Sequence, residues 1–418
     1  MQVFKFGGAS VKDAKGVKNV ALILQKFASQ DLLVVISAMG KTTNALERIL
    51  SLYQSHGDYL HELSLLKEYH HTIMADLFPQ EHRVWALIGD QWRTIERNLK
   101  ASYEEADQRY DQVVSYGEIL STLIVAEYLT HQGMAVEWLD ARSYVVTDEN
   151  YREAIVDWNA TAEKVKTLDF RSHKLKITQG FLGKNRSGFT TTLGRDGSDF
   201  SAAIFAYCLD AKGVTIWKDV PGVMNADPKR MKAVTLFEEL PFREAAEMTY
   251  YGASVIHPKT IKPLATKGIP LYVKNFDDPS LPGTKIHECH VENLPPLFVF
   301  KDNQCLISCK VTDYTFVTED HMRKIFHALS ELNIHLNVMQ NSAISFSFCI
   351  DFRESKVKAL IQTLQHFFEV YYNTGLTLVT IKNYDQESFD TFRKKPGVIL
   401  EQSSRSTLQL LMRAESSL

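Results

Sequence analysis

The chain reads as an α/β protein built on a mostly parallel central sheet, followed by a smaller α+β region of ferredoxin-like order. Three observations predict this. Short runs of Val, Ile and Leu, bounded by glycine or polar residues, recur through residues 1–294, as strands buried on both faces should. Stretches with helical spacing separate those runs. After prolines at 279, 282, 295 and 296 the pattern restarts as strand, helix, strand, strand, helix, strand.

Taken in order, strands are predicted at 3–6, 32–37, 135–139, 175–179, 214–217 and 271–274, with helices including 17–27 and 198–209, where Ala202, Phe205 and Cys208 recur at helical spacing. Residues 42–115 carry Leu, His, Glu and Arg with few strand signals, and are read as a helical insertion over the sheet. Two roles for it stay open, part of a substrate lid or a subunit contact. The expected domains are 1–294 and 295–418. In the second, strands fall at 307–311, 334–339, 344–350 and 376–381, and helices on Met322, Ile325, Phe326 and Leu329 and on Val357, Leu360, Ile361, Leu364 and Phe368. A weak helical signal at Phe389 and Phe392 and a strand at 407–412 end the chain, so a second such unit is expected to be incomplete.

Composition narrows the function. With 418 residues, 45% hydrophobic and 23% charged, the chain has the makeup of a globular protein of two or three domains. A net charge of -3 gives no basic footprint for nucleic acid. Five cysteines, odd and sparse, point to a reducing compartment; Cys305 and Cys309 share a strand face as buried thiols, and no Cys/His spacing predicts a metal site. A strand opens at once, leaving no room for a signal peptide, and no apolar run is expected to reach bilayer length. A cytoplasmic protein without nucleic-acid or membrane partners is the expectation.

The chemistry gathers where strands end. Lys5 runs into Gly7 and Gly8, which lack a Cβ and let backbone N–H groups approach an anion; a plain turn with a solvated lysine is the alternative. Ser37, Ala38, Lys41, Thr42, Thr43 and Asn44 follow the second strand at the edge where open α/β sheets bind ligands. Glu118 stands in the first turn of a helix running to about His131, either as a ligand group or as an ordinary helix-start acid. Gly180, Phe181, Leu182 and Gly183, then Thr192, Leu193, Gly194, Arg195, Asp196, Gly197, Ser198 and Asp199, bring glycines, hydroxyls, one arginine and two aspartates to a helix start. Arg195 can hold a carboxylate in bidentate fashion, the helix N–H groups face phosphate, and Asp199 can orient Lys5; a capped surface loop is the alternative. Lys218, Asp219 and the turn-rich loop through Met224 to Lys229 offer two lysines to phosphates. No Walker A, dinucleotide or protein-kinase pattern occurs.

Together, Lys5-Phe6-Gly7-Gly8-Ala9-Ser10-Val11, Ser37-Ala38, Tyr116-Gly117-Glu118, Gln179-Gly180-Phe181, Thr192 through Asp199, Asp219-Val220-Pro221-Gly222-Val223 and Gly252-Ala253-Ser254-Val255-Ile256-His257-Pro258 resemble aspartate kinase in order, over residues 3–286. The region after them is similar to that family's ACT regulatory part. The resemblance implies an amino-acid kinase fold, a three-layer αβα sandwich, followed by ferredoxin-like ACT domains. It implies ATP with Mg2+ as donor, and L-aspartate as acceptor. The product would be 4-phospho-L-aspartate, the first intermediate toward lysine, threonine and methionine. It assigns Lys5 to the transferred phosphoryl group and Asp199 to Lys5. Ser37, Thr43, Glu118, Phe181, Arg195 and Ser198 go to the acceptor. Gly7, Gly8, Lys218, Asp219, Met224, Lys229 and Ser254 go to the nucleotide.

Departures are visible as well. Ala9 stands where the family usually has threonine, Asp196 where glycine or asparagine is common, and Lys218, Met224 and Ser254 where threonine, tyrosine and lysine are frequent. Asn337 and Ala343 occupy places where feedback-inhibited members carry acids. An amino-acid effector at the ACT region and a homodimer or higher homo-oligomer are further expectations. A non-catalytic sensor of nucleotide and amino acid, or another amino-acid kinase relative, are the competing readings.

Overall fold

The computed structural model describes residues 1–253, 256–292, 294–312 and 315–413. The chain divides into two compact units, one of residues 1–223, 236–246 and 255–291, the other of residues 224–235, 247–254 and 292–418. The second unit thus begins three residues before the expected boundary and takes two short segments from the preceding region. Asn225 shows why: its amide donates to Pro296 O at 2.9 Å, its carbonyl accepts from Phe298 N at 2.7 Å, and Ala226 packs into a core with Phe298 and Phe392.

The first unit opens with β1 (Gln2–Phe6), α1 (Ala14–Gln25), β2 (Leu32–Ile36), α2 (Thr42–Gln54), α3 (Tyr59–Leu77), α4 (Val84–Lys100), α5 (Ala106–Val114), α6 (Tyr116–His131) and β3 (Val136–Leu139). It continues through α7 (Trp158–Val165), β4 (Leu175–Gln179), β5 (Leu182–Lys184), β6 (Thr190–Thr192), α8 (Gly197–Cys208), β7 (Val214–Lys218) and β8 (Glu239–Pro241). Then come α9 (Phe242–Tyr250), of which residues 242–246 belong to this unit, α10 (Pro258–Lys267), β9 (Leu271–Asn275) and β10 (Thr284–His287). Eight strands form one sheet in the order β3-β4-β2-β1-β7-β9-β10-β8, parallel from β3 to β9. Only β10 runs antiparallel to β9. All five residues of β2, Leu-Leu-Val-Val-Ile, are buried, because helices cover both faces of a parallel sheet. Phe4, Phe6, Leu32 and Val34 share a core with α1 and α6, while α8 packs against β1, β2 and β7.

The 42–115 segment is helical, as its composition predicts, and it belongs to the same core. Val84, Ile88, Trp92, Ile95 and Leu99 form the buried stripe of α4, three or four residues apart, and join Leu46, Ile73 and Ile119 in one cluster. The insertion also reaches the glycine loop, since Tyr69 of α3 donates its hydroxyl to Lys12 O at 2.5 Å. The most apolar helical stretch, Ala106–His131, includes an 18-residue window that matches a membrane span by length and composition alone, and 78% of that window is buried inside the protein, where α6 is an apolar core helix.

The second unit contains β11 (Leu297–Lys310), α11 (Glu319–Glu331), β12 (Leu336–Asn341), β13 (Ser345–Asp351), α12 (Glu354–Leu364), β14 (Glu369–Lys382), α13 (Gln386–Arg393), β15 (Val398–Ser403) and β16 (Thr407–Arg413). Its six strands run β12-β13-β11-β14-β16-β15, antiparallel throughout. Two strands of 14 residues, β11 and β14, serve both halves of this sheet, with a register shift between Lys301 and Gln304. The first ferredoxin-like half therefore closes with residues 369–373, whereas residues 376–382, expected to close it, start the second half. That half has one helix, α13, among the described residues, and residues 297–301 lie beside 376–382 as its fourth strand. Cys305 and Cys309 are fully buried in the first half, and burial pushes their thiols up to about 11 and about 12.

Candidate active site

Alternation along β1 sends Phe4 and Phe6 into the core beside Trp217 and turns Lys5 the other way. There its Nζ lies 2.7 Å from Asp199 Oδ1, with the two side chains 11% and 7% exposed. Asp199 stands in the first turn of α8, where the helix dipole favours its negative charge, and the ion pair with Lys5 adds to that. Gly7 leaves open space, a Cβ there meeting only Lys5 Nζ at 3.4 Å. At Gly8 a Cβ would fall 2.6 Å from Ala38 O and 2.8 Å from Gly40 O, so the loop after β1 nests against the loop after β2 only because Gly8 has no side chain.

Glu118, in the first turn of α6, is buried. Ser198 donates its hydroxyl to Oε1 at 3.3 Å, and among the described residues no donor makes a well-formed hydrogen bond to Oε2. Burial pushes this carboxyl up to about 8, against the opposing pull of the Ala38 and Gly180 N–H groups, Ser198 and the Lys5 charge. Phe181 (φ 67°) and Asp196 (φ 55°) adopt left-handed backbone, which explains why a residue tolerant of that region stands at 196. Gly194, at φ 76°, completes a tight turn that presents Arg195, whose side chain is 86% exposed with its nearest carboxylate, Asp196, at 3.7 Å. Burial holds the Lys218 ammonium below the usual lysine range, with Asp199 acting in the other direction.

All of these groups face one cavity of about 750 Å³. It brings together Lys5, Gly7, Gly8, Ser37, Thr43, Glu118, Phe181, Arg195, Ser198, Asp199, Lys218 and Asp219. Met224 and Lys229 belong to the second unit and are not among its lining residues, and Ser254 lies outside the described residues. Asn44, at the end of the hydroxyl run, is in the wall as well, and so are Glu47, Tyr110, Arg152, Glu153, Trp217 and Phe276, which the sequence pattern does not mark as site residues. Arg152 and Tyr110 sit in segments with no glycine signature. Among the described residues no group of three His, Cys, Asp or Glu side chains is placed to hold a metal ion.

A glycine loop, a buried lysine–carboxylate pair and a parallel-sheet edge define a small-molecule phosphotransfer site. The profile of the amino acid kinase family matches residues 1–275, and the chain belongs to that family. Lysine-sensitive aspartokinase 3 of Escherichia coli is 31% identical over 400 residues, spanning 92% of this chain and 87% of its own. Aspartokinase 1 of Arabidopsis thaliana is 33% identical over 88% of this chain, which spans 66% of that protein's length. The structure of E. coli aspartokinase III in complex with aspartate and ADP superposes with a TM-score of 0.83 at 29% identity, covering 99% of this chain and 96% of that one. These relatives are aspartokinases, and the chain takes its place in that branch.

Proposed function

We propose that the chain is an aspartate kinase, moving the γ-phosphoryl group of ATP to the β-carboxylate of L-aspartate to give 4-phospho-L-aspartate and ADP. The observation that carries this is the pairing, in one cavity, of a pre-set cation with a buried carboxyl. Lys5 is fixed by Asp199 where a phosphoryl group would pass, and Glu118, once ionised, has an oxygen free to take a cationic partner. An α-ammonium supplies that partner, and Arg195 takes the α-carboxylate.

The chemistry asks little of a base. A carboxylate acceptor is already ionised at pH 7, so the barrier comes from bringing two anions together and from charge on the moving phosphoryl oxygens. Positioning and fixed cations must lower it. Lys5 meets the transferred group, and Asp199 keeps its ammonium aimed. Ser37, Thr43, Phe181 and Ser198 wall the acceptor. The nucleotide fits the open space at Gly7 and the cations at Lys5 and Lys218, with Asp219 beside them; Met224, Lys229 and Ser254 remain assigned to that side by resemblance alone. Among the cavity carboxylates, Asp199 and Asp219, whose charges also reach Lys218, would help hold Mg2+, and the ion would supply neutralisation of phosphate charge.

The reading extends to an early step in lysine, threonine and methionine synthesis, a cytoplasmic location consistent with five free cysteines, and a homo-oligomer. An amino-acid effector at the second unit is part of it, but lysine is not favoured. Asn337 is engaged on both ends, donating to Gln304 at 2.7 Å and Asp351 at 3.0 Å and accepting from Lys301 at 2.9 Å. A coupled ADP-release assay with L-aspartate, L-glutamate and N-acetyl-L-glutamate tests the whole. Turnover with aspartate alone is expected. Turnover only with another acceptor would make the chain a different amino acid kinase, and binding without turnover would make it a sensor.

A further inference from the structure

The cavity holds a second arginine that the chemistry above leaves without a task. Arg152 lines it with Glu153, Gly194 and Arg195. Several constraints fix it there. Its backbone is left-handed at φ 64°, a conformation that side chains with a Cβ rarely adopt and that clusters at functional sites. Its N–H donates to Asp111 Oδ2 at 3.0 Å, and its guanidinium lies 4.1 Å from the Tyr110 ring centroid. Tyr110 also lines the cavity and donates its hydroxyl to Glu47 Oε1 at 2.5 Å.

Asp111 is buried and has further partners. Its Oδ2 accepts from Thr192 N at 2.8 Å, and its Oδ1 accepts from the Thr192 hydroxyl at 2.7 Å. Thr192 ends β6, and Leu193, Gly194 and Arg195 come next. Ala154 N donates to Thr192 O at 3.0 Å, closing the same contact. One buried carboxylate therefore ties together the two backbone segments that carry the two arginines. Their ion pairs, by contrast, are weak. Arg152 pairs with Asp107 at 3.2 Å, the two side chains 50% and 55% exposed, and a surface pair of that kind is readily exchanged for a substrate carboxylate.

We propose that Arg152 is a further specificity-determining residue of the acceptor site, releasing Asp107 to grip the α-carboxylate of aspartate together with Arg195. The proposal rests on the aspartate kinase reading. A guanidinium fork can engage both oxygens of a carboxylate, which a neutral amide does not reward. Steady-state kinetics with L-aspartate and with L-aspartate α-amide, each against varied ATP, test it in wild type, Arg152→Ala, Arg152→Lys and Asp107→Asn. Arg152→Ala should raise KM for aspartate about 10- to 30-fold, the scale of one lost charge-assisted contact, and leave KM for ATP within about twofold. Its preference for aspartate over the α-amide, as the ratio of kcat/KM values, should shrink by the same factor. Arg152→Lys should fall between, and Asp107→Asn should lower KM for aspartate about two- to threefold as the competing carboxylate is removed. An Arg152→Ala enzyme that keeps the wild-type preference for aspartate over the amide overturns the proposal, as does an equal rise in both KM values. A wild type inactive on aspartate would instead overturn the reading on which the proposal stands.

Discussion

The two ends of the cavity are built on different physical terms. At the donor end, Lys5 rises from the central strand, is almost buried, and already has its carboxylate at 2.7 Å, while Gly8 has no room for even a methyl group. At the acceptor end, Arg195 is 86% exposed and 3.7 Å from its nearest acid, and Glu118 keeps a buried oxygen without a well-formed hydrogen bond among the described residues. The donor end is finished before substrates arrive, whereas the acceptor end is completed by the substrate. Groups already in place for the transition state act on kcat; groups that become ordered by binding act first on KM.

Substitutions at each end can break that contrast. Lys5→Ala should lower kcat by about 10² to 10³, the scale of removing one preorganised donor, with KM for ATP changing by less than about fivefold. Steady-state kinetics at saturating ATP and aspartate check it. A wild-type kcat would show that the Lys5–Asp199 pair is merely structural. Arg195→Ala should instead raise KM for aspartate about 10- to 100-fold, as expected for a lost hydrogen-bonded ion pair of about 1.5 to 3 kcal/mol, with little effect on KM for ATP. Equal effects on both substrates would place Arg195 outside the acceptor end.

The same contrast marks what the sequence could reveal. The donor end was legible because its requirements are local: a buried parallel strand, two glycines and a lysine lie within seven residues, and the neighbouring strand shows as the unbroken apolar run Leu32 to Ile36. Glu118, Ser198 and Asp199 were legible for a similar reason, each in the first turn of a helix whose start is visible. Arg152 and Tyr110 were not, because their place depends on Asp111 pairing with Thr192 some 81 positions away, a contact that leaves no periodicity. The second unit shows the same limit. None of residues 369–373 is buried, so the first five residues of β14 give no apolar alternation, and the sequence pattern shows the strand only from 376. The short strand β15 was missed because only Leu400 of its six residues is buried.

A smaller effect bears on the acceptor end through pH. In the free protein burial raises the Glu118 carboxyl from 4.5 to about 8, so at pH 7 it carries a proton that the incoming ammonium disfavours. Binding of aspartate must then release that proton, and KM for aspartate should fall by up to about tenfold per pH unit as pH rises toward 8, levelling off above it. The folding linkage has the matching sign. A carboxyl whose folded pKa is raised binds its proton more tightly in the native state, so ligand-free stability should decline as pH climbs from 4.5 to 8 and then stop declining. Glu118→Gln, neutral at every pH, should flatten both profiles while raising KM for aspartate at pH 8. Initial rates at fixed saturating ATP between pH 6 and pH 8.5, with thermal melts of the free protein over the same range, read both. If wild type and Glu118→Gln showed the same slope, Glu118 would already be ionised in the empty cavity, and the acceptor end would be as complete without substrate as the donor end is.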